Sequence, residues 1–404
     1  MQKKHIAGLA ACLVLPVLLA AVVWLFLWTR IPDEIYAEEG TSLEGLLSYP
    51  LDEVIEEEVV TVLGQDSSNI PQGQVRICCS LFGVIPVKDV EVTLCEEKKV
   101  WAGGEPVGIY MKTDGVLVVG TGEITQADGT VLEPARNIVR SGDYILEANG
   151  QKTETKEDLI SCLAQCAGSD VVLAVNRGGE VSSIRLSPVL TAQQDYKLGI
   201  WVRDDTQGIG TLTYVDEEGN FGALGHGISD VDTGTLLALQ EGTLYRTNIL
   251  SVIKGTQGIP GELSGVIRYA GEEIIGTIAE NTQTGIFGNL NRHQEEYEKG
   301  ELVEIAYKQD VETGPAVIRS SVSGELKEYD IVIEKVRVSD REVNKSMVIR
   351  ITDPELLEIT GGIVQGMSGS PILQNGKLIG AVTHVFVNDS TCGYGIFVED
   401  MLGH

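Results

Sequence analysis

Short apolar segments separated by glycine-rich turns fill the chain from about Tyr196 onward. Examples are Gly208–Val215, Ile274–Ile278 and Ile331–Val336, each too short to form a typical helix. The 404-residue chain contains 47 glycines, which suit the tight turns that short strands require. Many short strands joined by turns are typical of all-β barrels. The second half of the chain is therefore predicted to be a mainly β barrel domain.

One turn near the end of the chain has the composition of a catalytic loop. The segment Gly361–Pro371 reads GGIVQGMSGSP and surrounds Ser368 with small residues, which let the backbone turn sharply and expose the hydroxyl. The amides of Gly366, Met367 and Ser368 are expected to point at one spot and to hold an oxyanion there. A nucleophile beside such donors is what acyl transfer needs. The alternative is a small-residue hairpin without chemistry.

The histidine content limits the choice of a general base. The five histidines are His5, His226, His293, His384 and His404. His226 lies between two glycines in FGALGHGISD, directly after a predicted hairpin, so it has few neighbours to pack against and is predicted to be the base. His384 alternates with apolar residues in a predicted strand and stays an alternative base. His293 lies in a polar stretch and is expected on a solvated surface.

Two blocks around these residues resemble a known family. They are TGGIVQGMSGSPILQNGKLIGAVTHVFVNDSTCGYGIF, from Thr360 to Phe397, and FGALGHGISDVDTG, from Phe221 to Gly234. Both are similar to the sporulation stage IV protein B peptidases, which are membrane-anchored, PDZ-containing serine peptidases of endospore-forming bacteria. The resemblance implies Ser368 as nucleophile and His226 as base.

The Gly-x-Ser-Gly-x-Pro pattern within the first block is that of chymotrypsin-like serine peptidases, with Ser370 in place of the usual second glycine. The order of histidine before serine agrees with that arrangement. The expected architecture is therefore a chymotrypsin-like double β-barrel, with His226 and Ser368 on opposite halves.

The third member of the triad is less determined. The family pattern suggests Asp353, just before Pro354, although an Asp-Pro pair is also typical of a plain turn. Asp230 and Asp232 lie too close to His226 along the chain to be favoured or excluded.

The N-terminus predicts a membrane anchor over residues 1–30. Two lysines precede an uncharged run from Ile6 to Thr29, which ends in Trp24-Leu25-Phe26-Leu27-Trp28. About 20 apolar residues span a bilayer, and tryptophans suit its interface. A cleaved signal peptide is the alternative, but its exit usually has small residues. The positive-inside rule places the N-terminus in the cytoplasm and the bulk outside.

The anchor is followed by three predicted regions before the peptidase domain at 191–404. Residues 31–73 are rich in acidic residues and are expected to form a solvated acidic stalk, partly helical from Leu43 to Leu63. Residues 74–100 alternate like strands and predict a small β-element. Residues 101–190 predict a PDZ domain.

The PDZ prediction depends on a strand and hairpin turn at Ser141–Gln151, followed by a helix that begins after Thr155 with Asp158 at its third position. Such a domain binds an extended peptide or chain end at a sheet edge. The candidate carboxylate loop lies within Pro106–Met111. The alternative is a PDZ-shaped spacer without a ligand.

Composition excludes several functions. The net charge of −29 argues against nucleic-acid binding, which needs basic patches. The seven cysteines lack any paired Cys-x-x-Cys spacing, so no metal or cofactor is expected.

The predicted function is that of a membrane-anchored serine endopeptidase acting on a protein at the outer membrane surface. The resemblance implies a sporulation signalling protease in the space between forespore and mother cell. It implies cleavage of a regulator of an intramembrane protease, so that a late sigma factor is activated, and also self-cleavage. The alternatives are a non-catalytic membrane-anchored PDZ scaffold and an esterase that uses the same residue pair.

Overall fold

The computed structural model describes residues 15, 18–38, 42–43, 47, 51–58, 73–255, 258–291, 300–338 and 342–403. These residues are mainly β, which confirms that part of the predicted fold class. The helices among them are α1 at 18–30, α2 at Lys156–Cys166, α3 at Pro354–Thr360 and α4 at Val398–Leu402. Short 3-10 turns lie at Gly271–Glu273, Lys308–Asp310 and Val343–Lys345.

No helix in the described ranges is long and apolar enough to cross a membrane. The anchor predicted over Ile6–Thr29 lies partly outside those ranges, at residues 6–14 and 16–17.

The first strands are Glu34–Glu38 (β1), Asp52–Glu58 (β2), Gly73–Leu81 (β3) and Ile85–Cys95 (β4). They form a separate four-stranded sheet in the order β1-β4-β3-β2. The prediction of a solvated stalk is therefore wrong for β1 and β2. In β1 the acidic Glu34 is exposed, whereas Ile35 and Ala37 are buried, so the charged positions obscured a strand alternation. The rest of the predicted stalk, including 59–72, lies outside the described residues.

The region predicted to be a PDZ domain contributes strands to a larger sheet. The strands from 99 to 197 are Lys99–Ala102 (β5), Pro106–Thr121 (β6), Ile124–Thr125 (β7), Val131–Leu132 (β8), Tyr144–Ala148 (β9), Gln151–Lys152 (β10), Val171–Arg177 (β11), Glu180–Leu186 (β12), Val189–Leu190 (β13) and Tyr196–Lys197 (β14). Helix α2 packs Leu159 and Leu163 on the core beside β9 and β11. Its predicted capping box is confirmed, because Thr155 and Asp158 bond each other's backbone amides.

The carboxylate loop predicted within Pro106–Met111 is wrong. These residues belong to strand β6, and Val107, Ile109 and Met111 are almost fully buried in the core beneath it. Alternate apolar side chains face that core, so the segment is a barrel strand and no loop.

The next strands along the chain are Ile200–Val215 (β15), Asn220–Ala223 (β16), Leu239–Ile253 (β17), Gly261–Ile267 (β18), Ile274–Thr282 (β19), Gly285–Leu290 (β20) and Leu302–Glu304 (β21). Six strands form a first closed ring through the pairings β6–β15, β15–β16, β16–β20, β20–β19, β19–β17 and β17–β6. Leu212, Phe221 and Ile286 are buried inside this ring.

The last strands of the chain are Gly314–Ser320 (β22), Lys327–Val336 (β23), Met347–Ile351 (β24), Val364–Gln365 (β25), Pro371–Gln374 (β26), Lys377–Phe386 (β27) and Asp389–Phe397 (β28). Six of them form a second closed ring in the order β22-β23-β24-β28-β27-β26. Strand β25 leaves the second ring and pairs in parallel with β18. The two rings are therefore joined beside the loop that contains Ser368.

Candidate active site

His226 and Ser368 reach one groove from opposite rings. His226 lies in the loop after β16 of the first ring, and Ser368 lies between β25 and β26, next to the second ring. Both line a groove of about 400 Å³, together with His384 of β27. Two residues 142 positions apart thus share a site.

The Ser368 hydroxyl is bonded to the backbone in this conformation. Its Oγ donates to the carbonyl oxygen of Thr383 at 2.7 Å. Among the hydrogen bonds of the described residues, none joins Ser368 to an imidazole. The hydroxyl must therefore leave the Thr383 carbonyl before a base can take its proton.

The His226 imidazole is oriented by its own neighbour. Its Nδ1 lies 2.9 Å from the carbonyl oxygen of Gly227. Because a carbonyl only accepts, Nδ1 carries the hydrogen and Nε2 is left as the acceptor. Burial lowers the pKa of His226 below its usual 6.5, against the opposing effect of the Gly227 bond. The ring is therefore neutral at pH 7 and able to accept a proton.

His384 stands directly beside this base. The two imidazole centroids are 4.8 Å apart, with the ring planes inclined by 35°. Loss of hydration lowers the pKa of His384 to about 4, with smaller contributions from nearby His226 and Lys345. Two neutral rings can pack this closely without charge repulsion. His5, His293 and His404 lie outside the described residues.

The first ring holds the nucleophile loop through two buried threonines of β15. Thr211 Oγ1 donates to the carbonyl of Gly366 at 2.8 Å, and Thr213 Oγ1 donates to that of Gly369 at 2.8 Å. The Thr211 amide also donates to the carbonyl of Ser368 at 3.0 Å. Sequence reasoning missed both threonines. The sequence signal was the presence of two hydroxyl side chains in the otherwise apolar segment Thr211–Val215. In the structure these two side chains are 3% and 0% exposed.

Gly369 is required by this contact between rings. Its φ is +94°, in the left-handed region that favours glycine. A Cβ there would lie 2.1 Å from the carbonyl oxygen of Thr211 and 2.5 Å from the amide nitrogen of Leu224. The glycine after Ser368 therefore lets the backbone of the first ring approach the loop.

The predicted oxyanion donors are not all available in this conformation. The Met367 amide donates to the carbonyl of Val364 at 3.1 Å, so the expectation that it is free is wrong. A tight turn at Gly366, whose φ is +98°, precedes Met367. The Ser368 amide donates no hydrogen bond within the described part of the chain. Gly366 and Ser368 both line the groove.

Asp353 does not meet His226. It is the N-cap of α3, where its Oδ1 accepts from the Leu356 amide at 2.9 Å and its Oδ2 from the Asp330 amide at 3.4 Å. The Asp-Pro pair begins a helix here, because an aspartate cap followed by proline suits the first turn. The structure therefore does not bring the predicted triad aspartate to the groove.

The other candidate carboxylates are also bonded elsewhere. Asp230 is 2% exposed, pairs with Arg203 and accepts from the amides of Asp232 and Thr233. Asp232 pairs with the same guanidinium at 2.9 Å. The group that orients His226 in this structure is therefore the Gly227 carbonyl.

Ser370 is separated from the chemistry. It is 0% exposed, and its hydroxyl has no hydrogen-bond partner among the described residues. It does not line the groove. Ser368 is thus the serine of the GMSGSP segment that substrate can reach.

Among the described residues, the groove has no ionisable lining apart from its two histidines. Its walls are formed mostly by aliphatic side chains, backbone and small polar groups, without Asp, Glu, Lys or Arg. The aliphatic members are Ile109, Ile209, Leu224, Ile228, Ile363, Val364 and Val385. No group of three or more His, Cys, Asp or Glu residues in the described ranges could hold a metal ion.

No curated protein matches this chain. Three solved structures that match are the PDZ domain of the SdrC-like protein (Lmo2051) from Listeria monocytogenes, the active form of the Rv3671c protease from M. tuberculosis, and the HtrA-type protease AlgW with a decapeptide.

These matches are distant. The PDZ domain is 20% identical, covers 22% of this chain and 87% of its own, and has a TM-score of 0.18. Rv3671c is 17% identical, covers 49% of this chain and 72% of its own, and has a TM-score of 0.29. AlgW is 11% identical, covers 50% of this chain and 52% of its own, and has a TM-score of 0.28.

The family model described as SpoIVB peptidase S55 matches residues 194–402, which is half of the chain and includes both His226 and Ser368. The chain therefore belongs to the SpoIVB peptidase family, S55, and is a serine endopeptidase with protein substrates.

Proposed function

We propose that Ser368 is the nucleophile and His226 the general base of this peptidase. The observation that supports this most directly is that both side chains line one groove from opposite rings, with His226 Nε2 left as an acceptor. Ser368 Oγ would transfer its proton to Nε2 and bond to the substrate carbonyl carbon. The imidazolium would then protonate the leaving amine as the peptide bond breaks, and water would hydrolyse the acyl-enzyme.

The oxyanion would be held by the amides of the nucleophile loop. The Ser368 amide donates to no acceptor in the described ranges, and the Met367 amide would join it once released from Val364, with Gly366 forming the turn. One such donor is worth about 10²–10³ in turnover in serine peptidases. Substrate binding would therefore shift the loop from the observed conformation to the competent one.

We propose that the two rings are the halves of a chymotrypsin-like double barrel. Their six-stranded closure and the groove between them support this. In this arrangement the Gly227 carbonyl fixes the tautomer of the His226 imidazole, a role that an aspartate has in most serine peptidases of this type. Asp353 would act indirectly, by capping the helix that leads into the nucleophile loop.

We further propose that the enzyme prefers an aliphatic side chain before the scissile bond. The uncharged groove would leave a buried lysine, arginine, aspartate or glutamate side chain without a partner, which is costly. Ile363 and Val385 line this groove together with Ser368. A peptide library should show cleavage after valine, isoleucine or leucine, and Val385→Asp should admit basic residues.

The test of the catalytic assignment is hydrolysis of unactivated peptide bonds by single variants. Ser368→Ala and His226→Ala should both be inactive, whereas Ser370→Ala should be active and His384→Ala should keep a measurable fraction. Equal loss in the two histidine variants would mean that the base is assigned wrongly. Hydrolysis of esters without peptides would support the esterase.

The cellular setting is a further proposal. The uncharged run Ile6–Thr29 and the preceding lysines support a tether with the catalytic part outside the cytoplasm. We propose a sporulation signalling role in the space between forespore and mother cell. The substrate would be a regulator of an intramembrane protease, whose cleavage allows activation of a late sigma factor, and the enzyme would also cleave itself.

The region around α2 would act as a PDZ domain that delivers the protein substrate. Its sequence pattern and the capped helix support this. The scaffold alternative loses support, because the family is one of peptidases. Sporulating cells that express Ser368→Ala should retain the intact regulator and lack late sigma-factor activity. Normal activation in those cells would contradict the signalling role.

A further inference from the structure

The hairpin between β3 and β4 ends in an exposed apolar tip, Phe82–Ile85. Phe82 is 84% exposed, Val84 80% and Ile85 46%. Phe82 and Gly83 both have positive φ, so the turn is tight and holds these side chains away from the sheet. Hairpin turns are usually polar, and a cluster of large apolar side chains in one marks an interaction surface.

This tip is fixed beside the N-terminal helix. Trp24 Nε1 of α1 donates to the carbonyl of Pro86 at 2.8 Å, immediately after the tip. Leu27 of α1 and Val87 of β4 are buried in the same core cluster. The helix and the hairpin tip therefore form one continuous surface.

The outer face of α1 is equally apolar. Leu18, Leu19, Val22, Leu25 and Phe26 are each more than half exposed. Together with Phe82–Ile85 they present apolar side chains that nothing in the described chain covers. In the sequence, the uncharged run that includes this helix begins at Ile6.

The residues along α1 change character in a defined order. Aliphatic residues come first, then the stacked pair Trp24 and Trp28, with ring centroids 6.2 Å apart, and then Arg30 at the end. Lys88 of β4 lies beside this end, 5.6 Å from the Trp28 ring. The order hydrocarbon, tryptophan, cation is that of a bilayer from core to headgroups.

We propose that the Phe82–Ile85 tip inserts into the membrane beside α1, so that helix and hairpin together contact the outer leaflet. This inference rests on the proposed membrane tether. A single helix would let the catalytic part rotate and tilt freely, whereas a second insertion point fixes how the sheet stands on the bilayer. The lipid surface is favoured over a protein partner because the helix that leads to the tip has the depth profile of a bilayer.

The test uses the full-length chain in vesicles of phosphatidylcholine and phosphatidylglycerol. An environment-sensitive fluorescent amino acid replaces Val84, Leu19 or Val181 by codon suppression, which leaves the native cysteines unchanged. Val181 is a matched control, because it is an exposed valine (63%) on strand β12, in the region predicted to be a PDZ domain. Lipids with a nitroxide in the upper acyl chain serve as quenchers.

The inference predicts blue-shifted, quenched emission at positions 84 and 19 and unquenched emission at 181. Quenching at 19 but not at 84 would overturn the hairpin insertion and leave the tether intact. Quenching at neither position would overturn both. A blue shift at 84 that needs no vesicles and grows with protein concentration would assign the tip to a second copy of the chain, which also overturns the inference.

Discussion

The loops that contain His226 and Ser368 reach the same groove but are held in different ways. The His226 loop is fixed within the first ring, by the Gly227 carbonyl and by Asn281, which bonds both the amide and the carbonyl of Ile228. The Ser368 loop is fixed across the rings, by the hydroxyls of Thr211 and Thr213. The orientation of the base is thus a property of one ring, whereas the position of the nucleophile depends on how two rings pack.

The largest expected effect is the loss of either reacting group. Ser368→Ala and His226→Ala should each reduce turnover by about 10⁶, and the double variant should be no worse, because the two act as one unit. Steady-state peptide hydrolysis measures this. Additive losses would mean that the two loops serve separate functions.

Breaking the contact between rings should affect only the nucleophile. Thr213→Val removes the bond to Gly369 while keeping the shape of the side chain, and a misplaced nucleophile costs about 10² in turnover. The matched control is Thr247→Val, which removes a similar threonine bond, to Val266, at a residue that does not line the groove.

The His226 pKa, followed by NMR of the imidazole, should be unchanged in Thr213→Val. A large shift in that pKa would show that the two loops are not independent, and equal activity in the Thr213 and Thr247 variants would remove the positioning role.

The base alone should set the acid limb of the pH profile. His226 must be neutral to accept a proton, and burial lowers its pKa below 6.5. Activity should therefore persist below pH 6.5 and fall about tenfold per pH unit only beneath the lowered pKa. The kcat/KM profile measures this in the free enzyme, and a midpoint above 6.5 would contradict the buried, neutral base.

The same burial has a consequence for stability. The unfolded chain binds protons at His226 and His384 near pH 6.5, whereas the folded chain resists protonation at both. As far as these two histidines are concerned, the free energy of unfolding is therefore highest above pH 6.5, and it decreases as the pH falls through the lowered pKa values.

A smaller effect is expected at Asp353, which supports the approach to the nucleophile loop. Asp353→Ala should lower the free energy of unfolding by about 1 kcal/mol through loss of the helix cap. Asp353→Asn should keep both stability and activity, because asparagine caps equally well. Loss of activity by about 10⁴ in a fully stable Asp353→Asn would instead give the carboxylate a direct role with His226.

The smallest effect is expected at Ser370, beside the nucleophile but facing the interior. Ser370→Ala removes a buried hydroxyl that has no partner in the described part of the chain and should raise the free energy of unfolding by about 1 kcal/mol, as chemical denaturation would show. Activity should be unchanged. A destabilised variant would mean that the hydroxyl has a partner in solution.

The sequence predicted local features well and long-range ones poorly. The glycines around His226 and Ser368 and the α2 cap follow from neighbouring residues. The choice of His226 as base came from its flanking glycines, and its pairing with Ser368 came also from the family resemblance. The bonds from Thr211 and Thr213 join residues more than 150 positions apart, and no local pattern encodes them.

Two errors share one physical cause. The acidic stalk and the Pro106–Met111 loop were predicted from charge content and from expected function, whereas the alternation of buried residues in β1 and β6 decides the structure. Asp353 shows the opposite case, because the structure gives it a purely local role as the N-cap of α3.

The central claim is that Ser368 is activated by His226 across the two rings. The most direct measurement is peptide mapping by mass spectrometry after reaction with a fluorophosphonate. We expect one adduct on Ser368, formed in wild type, Ser370→Ala and His384→Ala and absent in His226→Ala. An adduct on another residue, or one on Ser368 that forms at the same rate without His226, would contradict the account.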